Sequence, residues 1–127
     1  MEKEEMKRII HEYINSYNEF NVARMIKDVH ENVEFRNIAN GEINLELTGK
    51  NALLKQAKES VTMFKEREMK IIEQKIEGNI LESKIDFRGV LAIDFPEGPK
   101  AGETIEIRGK SIFKFKEDKI ILIEDIS

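Results

Sequence analysis

Asp125 is the residue of this sequence best placed to move a proton. It follows Ile121 and Ile123 at alternate positions, so one face of a predicted strand carries two isoleucines and a carboxyl group. A carboxyl group in apolar surroundings resists ionisation, and its pKa rises toward the range in which a side chain can accept and return a proton. The other face of the same strand is equally apolar, so the pattern leaves open which face lies inward.

Three uncharged polar side chains also lie on otherwise apolar faces. Tyr13 belongs to the apolar stripe of a predicted helix. Asn37 shares a strand face with Val33 and Phe35. Ser111 lies among the large apolar residues of a later strand. A buried polar group without a partner costs about 1–3 kcal/mol, so each needs a hydrogen bond. The partner is either the protein itself, such as the backbone of a turn, or a bound ligand, and the sequence leaves both interpretations open.

The remaining titratable residues are weaker candidates. Lys84 and Asp86 lie two apart on a predicted strand, but alternation puts Asp86 opposite Phe87, which predicts a pair on the solvent side. His11 lies on the polar side of the first predicted helix, and His30 is predicted to end the second helix, where a cation suits the helix dipole. No set of His, Asp and Glu has the spacing of a metal site, and there is no glycine-rich phosphate loop. Neither a metal nor a cofactor is therefore predicted.

Helices are predicted mainly in the first half of the chain. Apolar residues recur at helical spacing over residues 6–20, 22–29 and 53–64. Asn21 is the predicted N-cap of the second helix, and Thr48 or Gly49 marks the start of the third. Between these two helices, the stretch VEFRNIANGEINLEL predicts two short strands joined by a tight turn at Asn40-Gly41.

The pattern changes to period two from about residue 66, which predicts four long antiparallel strands. Turns are predicted at Gly78-Asn79 and at the sequence KED, and a loop with both prolines interrupts the strands. Gly89 and Gly109 lie inside strands and predict bulges or sharp bends that curve the sheet. Helices segregated from an antiparallel sheet define the α+β class, and a length of 127 residues predicts one domain, residues 1–127.

Composition narrows the classes of partner. The net charge is −4, and Lys and Arg do not cluster, so nucleic acid is not predicted as a partner. Runs such as FKEREMK mix both signs of charge and predict a solvated face. No apolar run approaches the ~20 residues of a membrane-spanning helix, so no membrane partner is predicted. Because the chain starts with charged residues and contains no cysteine, we expect a cytoplasmic protein.

The order of these elements resembles the nuclear transport factor 2-like superfamily, which includes the SnoaL-like and ketosteroid isomerase-like proteins. The resemblance covers essentially the whole chain and is carried by the stretches YINSYNEFNVARMIKDVHENVEF, LTGKNALLKQ, DFRGVLAIDF and GETIEIRGKSIFKFKEDKIILIEDI. It implies a cone-shaped fold, in which three N-terminal helices pack on a strongly curved antiparallel or mixed sheet. It also implies a pocket at the open end of the cone and, often, a homodimer formed through the outer sheet face.

The resemblance to the ketosteroid isomerase branch places three candidate residues. Tyr13 matches the tyrosine of that branch, whereas Asn37 and Ser111 stand where the branch has its base and its protonated acid. A carboxamide cannot take up a proton near neutral pH, and a serine hydroxyl lacks the effect of a carboxylic acid in an apolar site. Steroid-type isomerisation is therefore not expected.

Resemblance to the limonene epoxide hydrolase branch implies a different acid set. Lys84, Asp86 and Asp125 fall near the positions of its cation and its two acids, although lysine lacks the bidentate fork of arginine. Taken together, the two branches leave Asp125 and Tyr13 as the catalytic candidates. The residues expected to contact a ligand are Tyr13, Tyr17, Phe35, Asn37, Phe64, Ser111 and Phe113.

Three functions are compatible with these residues. In the first, which we favour, the cone binds a small apolar molecule without catalysis. In the second, the protein is an enzyme of the isomerase, polyketide cyclase or epoxide hydrolase type, with Asp125 as acid and base and Tyr13 or Asn37 orienting the substrate. In the third, phenylalanines fill the pocket and the domain is a dimerisation scaffold. A homodimer is expected because the predicted outer sheet face carries a modest apolar patch, formed by Val90, Ala92, Ile112, Ile120 and Leu122.

Overall fold

The computed structural model describes all 127 residues, and its elements follow the predicted order. The helices are α1 (Lys3–Asn18), α2 (Val22–Met25) and α3 (Lys50–Val61). The strands are β1 (Val29–Ala39), β2 (Glu42–Thr48), β3 (Phe64–Glu77), β4 (Ile80–Leu91), β5 (Thr104–Lys116) and β6 (Lys119–Ile126). None of the three helices could span a membrane.

All six strands form one mixed sheet in the order β2-β1-β6-β5-β4-β3. Neighbouring strands are antiparallel except for β1 and β6, which pair in parallel. The sheet is curved but does not close, and the helices cover its concave face. The predicted α+β class with a curved, mixed sheet is therefore confirmed.

Two turns of the sheet use left-handed backbone. Asn40 and Gly41 join β1 to β2 with φ angles of 54° and 79°, and Glu117 and Asp118 join β5 to β6 with φ angles of 54° and 62°. Two successive residues with positive φ match the right-handed twist of the strands that they connect. Both turns lie where the sequence predicts them.

The core lies between α1 and the inner faces of the central strands. The apolar stripe of α1 is buried there, and the ring of Tyr13 packs edge to face against Phe113 on β5, with 5.6 Å between the ring centroids. Leu53 and Ala57 of α3 join the same apolar cluster. The amphipathic helices thus cover the apolar face of the sheet, as their spacing predicts.

The second helix is shorter than predicted. Asn21 caps it as expected, because its side-chain oxygen accepts a hydrogen bond from the Arg24 backbone N–H at 3.1 Å. The helix ends at Met25, however, and Val29 begins β1, where it pairs with Ile120 of β6. His30 therefore lies in β1 rather than at a helix end, so the predicted position of His30 is wrong. Pairing with β6 outweighs the helical spacing of residues 22–29.

The two strand glycines do not form bulges. β4 and β5 pair without a register shift across both Gly89 and Gly109. A Cβ atom at Gly89 would lie 2.7 Å from the ring of Phe64, and one at Gly109 would overlap the carbonyl oxygen of Ile126. Glycine thus permits the close approach of neighbouring groups at these positions. Of the two predicted alternatives, a bulge is wrong, and a sharp bend stays a prediction.

A bulge in β6 changes which of its residues face the core. Ile120 pairs with Phe115, and Leu122 pairs with Lys114, so Ile121 is an extra residue between two pairs. This bulge turns both Ile120 and Ile123 into the core, where both are fully buried. Ile120 therefore does not belong to the outer apolar patch, contrary to the alternation that the sequence predicts.

Candidate functional site

A cavity lies between the helices and the concave face of the sheet. It consists of two adjoining chambers of about 330 Å³ and about 230 Å³. The larger chamber lies beneath α1 and α3, and the smaller one extends toward the ends of β4 and β5. The walls that both chambers share are formed by Tyr17, Asn37, Phe64, Met69, Ser111 and Asp125. The interior is mainly apolar, with a small number of polar groups.

Three of these polar groups, Asn37, Ser111 and Asp125, belong to one row of polar residues across the sheet. The row contains one residue from each of five strands, and its members are in register from β3 to β1: Gln74, Ser83, Ser111, Asp125 and Asn37. The Gln74 amide donates to Ser83 Oγ at 3.3 Å, and Ser111 Oγ donates to Asp125 Oδ1 at 2.7 Å. Strand pairing, including the parallel pair of β1 and β6, thus brings together residues that are far apart in sequence.

Asp125 is the acidic residue of the cavity wall. Burial raises the pKa of its carboxyl group, and the hydrogen bond from Ser111 acts in the opposite direction by favouring the carboxylate. Oδ1 accepts the bond from Ser111, whereas Oδ2 makes no hydrogen bond within the protein. The second oxygen is therefore free to exchange a proton or a hydrogen bond with a molecule in the cavity.

Two tyrosines from α1 line the larger chamber beside this carboxyl group. Burial raises the pKa of Tyr17 to about 12, and it raises the pKa of Tyr13 well above its ordinary value. The nearby charge of Asp125 contributes to both increases, and the charge of Arg67 opposes them. Both phenols therefore keep their protons at neutral pH and act as hydrogen-bond donors rather than bases.

Arg67 is the charged residue of the larger chamber that the sequence interpretation misses. It lies within the run FKEREMK, which predicts a solvated face, yet its exposed fraction is only 6%. Its guanidinium stacks on the ring of Tyr17, with 3.7 Å between Cζ and the ring centroid, and it lines the larger chamber. Arg67 alternates with Met69 and Ile71, both of which pack against the core, and this period-two pattern is the signal that could have identified it.

Six of the seven residues expected to contact a ligand line the cavity: Tyr13, Tyr17, Phe35, Asn37, Phe64 and Ser111. Phe113 does not, because it lies in the core beneath Tyr13 with an exposed fraction of 1%. The Asn37 amide donates to Asn44 Oδ1 across the hairpin at 2.8 Å, so its partner is a side chain and not the backbone of the turn. Whether these residues contact a ligand stays a prediction.

The epoxide hydrolase-like acid set does not assemble. Lys84 and Asp86 lie on the outer face of β4, 3.8 Å from Glu73 and 3.7 Å from Arg108 respectively. Asp125 lies on the inner face, so the sheet separates the two aspartates. His11 is exposed on α1, and no group of three or more His, Asp or Glu side chains converges in the arrangement that holds a metal ion.

Solved structures share this fold at low sequence identity. The chain is similar to a provisionally assigned polyketide cyclase from Xanthomonas campestris pv. campestris, with a TM-score of 0.82 and 16% identity over 98% of this chain and 91% of that one. It is similar to a protein of ketosteroid isomerase-like fold from Catenulispora acidiphila, solved in complex with trimethylamine, with a TM-score of 0.75 and 11% identity over 92% and 82%. An LEH-like epoxide hydrolase from M. tuberculosis matches with a TM-score of 0.76 and 13% identity over 96% and 81%. These similarities show that the fold is that of the nuclear transport factor 2-like superfamily.

A comparison of the sequence with protein families is more specific than the comparison of folds. The chain belongs to the SnoaL-like domain family, whose pattern matches residues 10–123. No curated protein matches it in sequence. The predicted superfamily is thereby confirmed, and the reaction or ligand must be argued from the cavity, because one fold of this kind carries many functions.

Proposed function

We propose that the protein binds a small, mainly apolar organic molecule in the cavity beneath α1 and α3. The observation that carries this proposal is the larger chamber itself, whose volume of about 330 Å³ lies within the range of small-molecule sites. Its wall combines aromatic and aliphatic side chains with a few polar groups, which is the composition that gives such sites both affinity and orientation. A scaffold filled by phenylalanines is disfavoured, because Phe35 and Phe64 leave the chamber open.

Binding of a neutral aromatic probe tests this proposal. We expect 2-naphthamide, titrated into isotopically labelled protein, to shift the NMR signals of cavity residues such as Phe64 and Met69. Ala57→Trp, which places an indole in the larger chamber, should weaken that binding by about tenfold or more, because the indole fills the space of the ligand. Overpacking at this buried position also costs about 1–3 kcal/mol of stability, so the NMR spectrum of the variant must show that it is folded. Ala23→Trp is the matched control, because Ala23 is exposed on α2. Absence of binding to the wild-type protein, or equal binding by both variants, would refute the proposal.

A second candidate function is acid–base catalysis in the same cavity. The position and environment of Asp125 favour it. Its carboxyl group faces an apolar interior, its pKa is raised by burial, and one of its oxygens has no partner in the protein. Such a group suits abstraction of a proton next to a carbonyl, the step on which isomerases and cyclases rely. In this interpretation Tyr13 or Tyr17 donates a hydrogen bond to the carbonyl oxygen, because both phenols stay protonated.

Hydrogen exchange at carbon tests the catalytic candidate without a known substrate. With 2-acetylnaphthalene in D₂O, wild-type protein should accelerate exchange of the methyl protons over buffer. Asp125→Asn should lower the enzymatic rate by about 100-fold or more, since an amide cannot accept the proton. Asp86→Asn, on the outer face, should leave the rate unchanged. If the wild-type protein and Asp125→Asn exchange the protons equally fast, catalysis by Asp125 is excluded and binding alone remains.

A further inference from the structure

Arg67 is a buried cation without an anionic partner. Its side chain lies against α1, where Nε donates to the Tyr17 carbonyl oxygen at 2.8 Å. Nη1 donates to Ser60 Oγ on α3 at 3.1 Å, and the guanidinium lies between the rings of Tyr17 and Phe20, with Cζ 3.7 Å and 4.5 Å from the two centroids. These contacts fix the orientation of the guanidinium, but none of them neutralises its charge.

The other arginines of the chain show the contrast. Four of the other five arginines, Arg8, Arg24, Arg36 and Arg108, each lie within 4.0 Å of at least one carboxylate, and the fifth, Arg88, is exposed to solvent. All five are more exposed than Arg67. Arg67 has no carboxylate at that distance, although it is the arginine whose charge is least solvated. A buried charge is normally paired, because burial of an ion without a counterion is strongly unfavourable. The guanidinium of Arg67 therefore lacks the counterion that a buried charge normally has.

Arg67 has an unused donor and lines the cavity. Nη2 makes no hydrogen bond within the protein, and since no enclosed side-chain nitrogen or oxygen lacks a partner, Nη2 must be accessible. Arg67 is a wall residue of the larger chamber, together with Tyr13 and Asp125. A molecule in that chamber therefore meets a fixed positive charge on one wall and a protonatable carboxyl group on another.

We propose that Arg67 binds an anionic oxygen of the ligand, so that the ligand class is an aromatic or aliphatic acid whose carboxylate pairs with the guanidinium. The inference rests on the proposed function, because it assumes that an apolar molecule occupies the chamber. A planar carboxylate suits the site, since a guanidinium presents its donors in a fixed fork. The apolar body of the acid then lies along Phe35, Phe64 and Met69.

A matched pair of ligands tests this inference. We expect wild-type protein at neutral pH to bind 2-naphthoate about tenfold or more tightly than 2-naphthamide, which has nearly the same shape but no charge. In Arg67→Met the preference should disappear, because naphthoate binding weakens while naphthamide binding stays within about twofold. Arg67→Lys keeps the charge but not the fork, so it should retain part of the preference. This variant also provides the comparison if Arg67→Met folds poorly.

The outcomes separate the two proposals. Equal affinity of the wild-type protein for both ligands would refute the role of Arg67 and leave the apolar cavity in place. A preference for naphthoate that survives in Arg67→Met would assign the anion to another group and likewise refute this role. If neither ligand binds to the wild-type protein, the proposed function fails and the inference falls with it.

Discussion

At the scale of single residues, the cavity holds two groups whose charged forms are poorly solvated: the carboxyl group of Asp125 and the guanidinium of Arg67. Burial raises the pKa of Asp125 and lowers that of Arg67, so both shifts favour the neutral form. The protein thus keeps polar groups where apolar residues would make the core more stable. Such groups are typical of functional sites.

The pH dependence of stability reports the state of Asp125. Because its folded-state pKa lies above the ordinary value of 3.8, the protonated carboxyl group is favoured by folding, and stability is lost as the pH rises from the ordinary pKa through the raised one. Asp125→Asn cannot ionise and should escape this loss. Urea denaturation at a series of pH values should therefore show equal stability below the ordinary pKa and a more stable variant at higher pH. Asp86→Asn is the control, and an Asp125→Asn protein less stable than wild type at pH 8 would contradict the expectation.

Arg67 should contribute to binding and not to stability. Burial of a charge without a counterion is unfavourable, and Met keeps an apolar stem, so Arg67→Met should unfold at an equal or higher urea concentration than wild type. The Tyr17 carbonyl oxygen keeps a partner in the variant, because it also accepts a hydrogen bond from the Phe20 N–H. A loss of more than about 3 kcal/mol would show that Arg67 is a structural residue.

Sequence patterns locate some of these residues better than others. Asp125, Ser111 and Asn37 are identifiable because a polar residue interrupts an apolar face. Arg67 is hidden because acidic and basic neighbours surround it on both sides, and a mixed run of charge is usually solvated. The partner of Asp125 could not be predicted either, because the pairing of β5 with β6 fixes which residue lies opposite it.

At the scale of elements, the side-chain amide of Asn18 is one of the links between α1 and the sheet. Asn18 Nδ2 donates to the Met69 carbonyl oxygen at 3.0 Å, and Asn18 Oδ1 accepts from the Met69 N–H at 2.7 Å. Met69 lies on β3, an edge strand of the sheet, so the amide takes the position that another strand would occupy. This link holds the end of α1, with Tyr17, next to the strand that carries Arg67.

Asn18→Ala should therefore destabilise the protein more than its position near a helix end suggests. Two backbone groups of Met69 lose their partners, and each unsatisfied group costs about 1–3 kcal/mol unless water replaces the amide. We expect a loss of about 2–4 kcal/mol in the free energy of unfolding, measured by urea denaturation. Asn15→Ala, on the exposed face of the same helix, should change it by less than about 0.5 kcal/mol. Similar effects of the two substitutions would mean that the link is unimportant.

Element types are well predicted from this sequence, and element ends are not. The stripe of α1 and the two turns with positive φ follow from local spacing and turn chemistry, which act within a few residues. The short α2 and the bulge at Ile121 depend on how β6 pairs with β1 and β5. Such pairing joins residues that are distant in sequence, so local patterns do not contain it.

At the scale of the whole molecule, the outer sheet face remains the place where a second subunit is predicted. Most of this face carries charges of both signs, such as Lys110 beside Glu82 at 3.2 Å and Arg36 beside Glu124 at 3.1 Å. Ile112 and Leu122 are half-buried between these charges, and Ile120 no longer adds to their area. The apolar patch is therefore smaller than the sequence predicts, which favours a weak homodimer over a tight one.

A concentration series measured by sedimentation velocity tests this prediction. We expect wild-type protein to shift from monomer to dimer at concentrations of roughly 1–100 μM, which is typical of weak and transient interfaces. Ile112→Glu should raise the dissociation constant by about tenfold or more, since a carboxylate would be buried at the centre of the patch. Ile72→Glu is the matched control, because Ile72 is an exposed isoleucine on the edge strand β3, away from the patch.

A wild-type protein that stays monomeric at every concentration would exclude the dimer, and equal weakening by both variants would place the interface elsewhere. Neither result would alter the cavity proposals, because the cavity lies on the opposite face of the sheet.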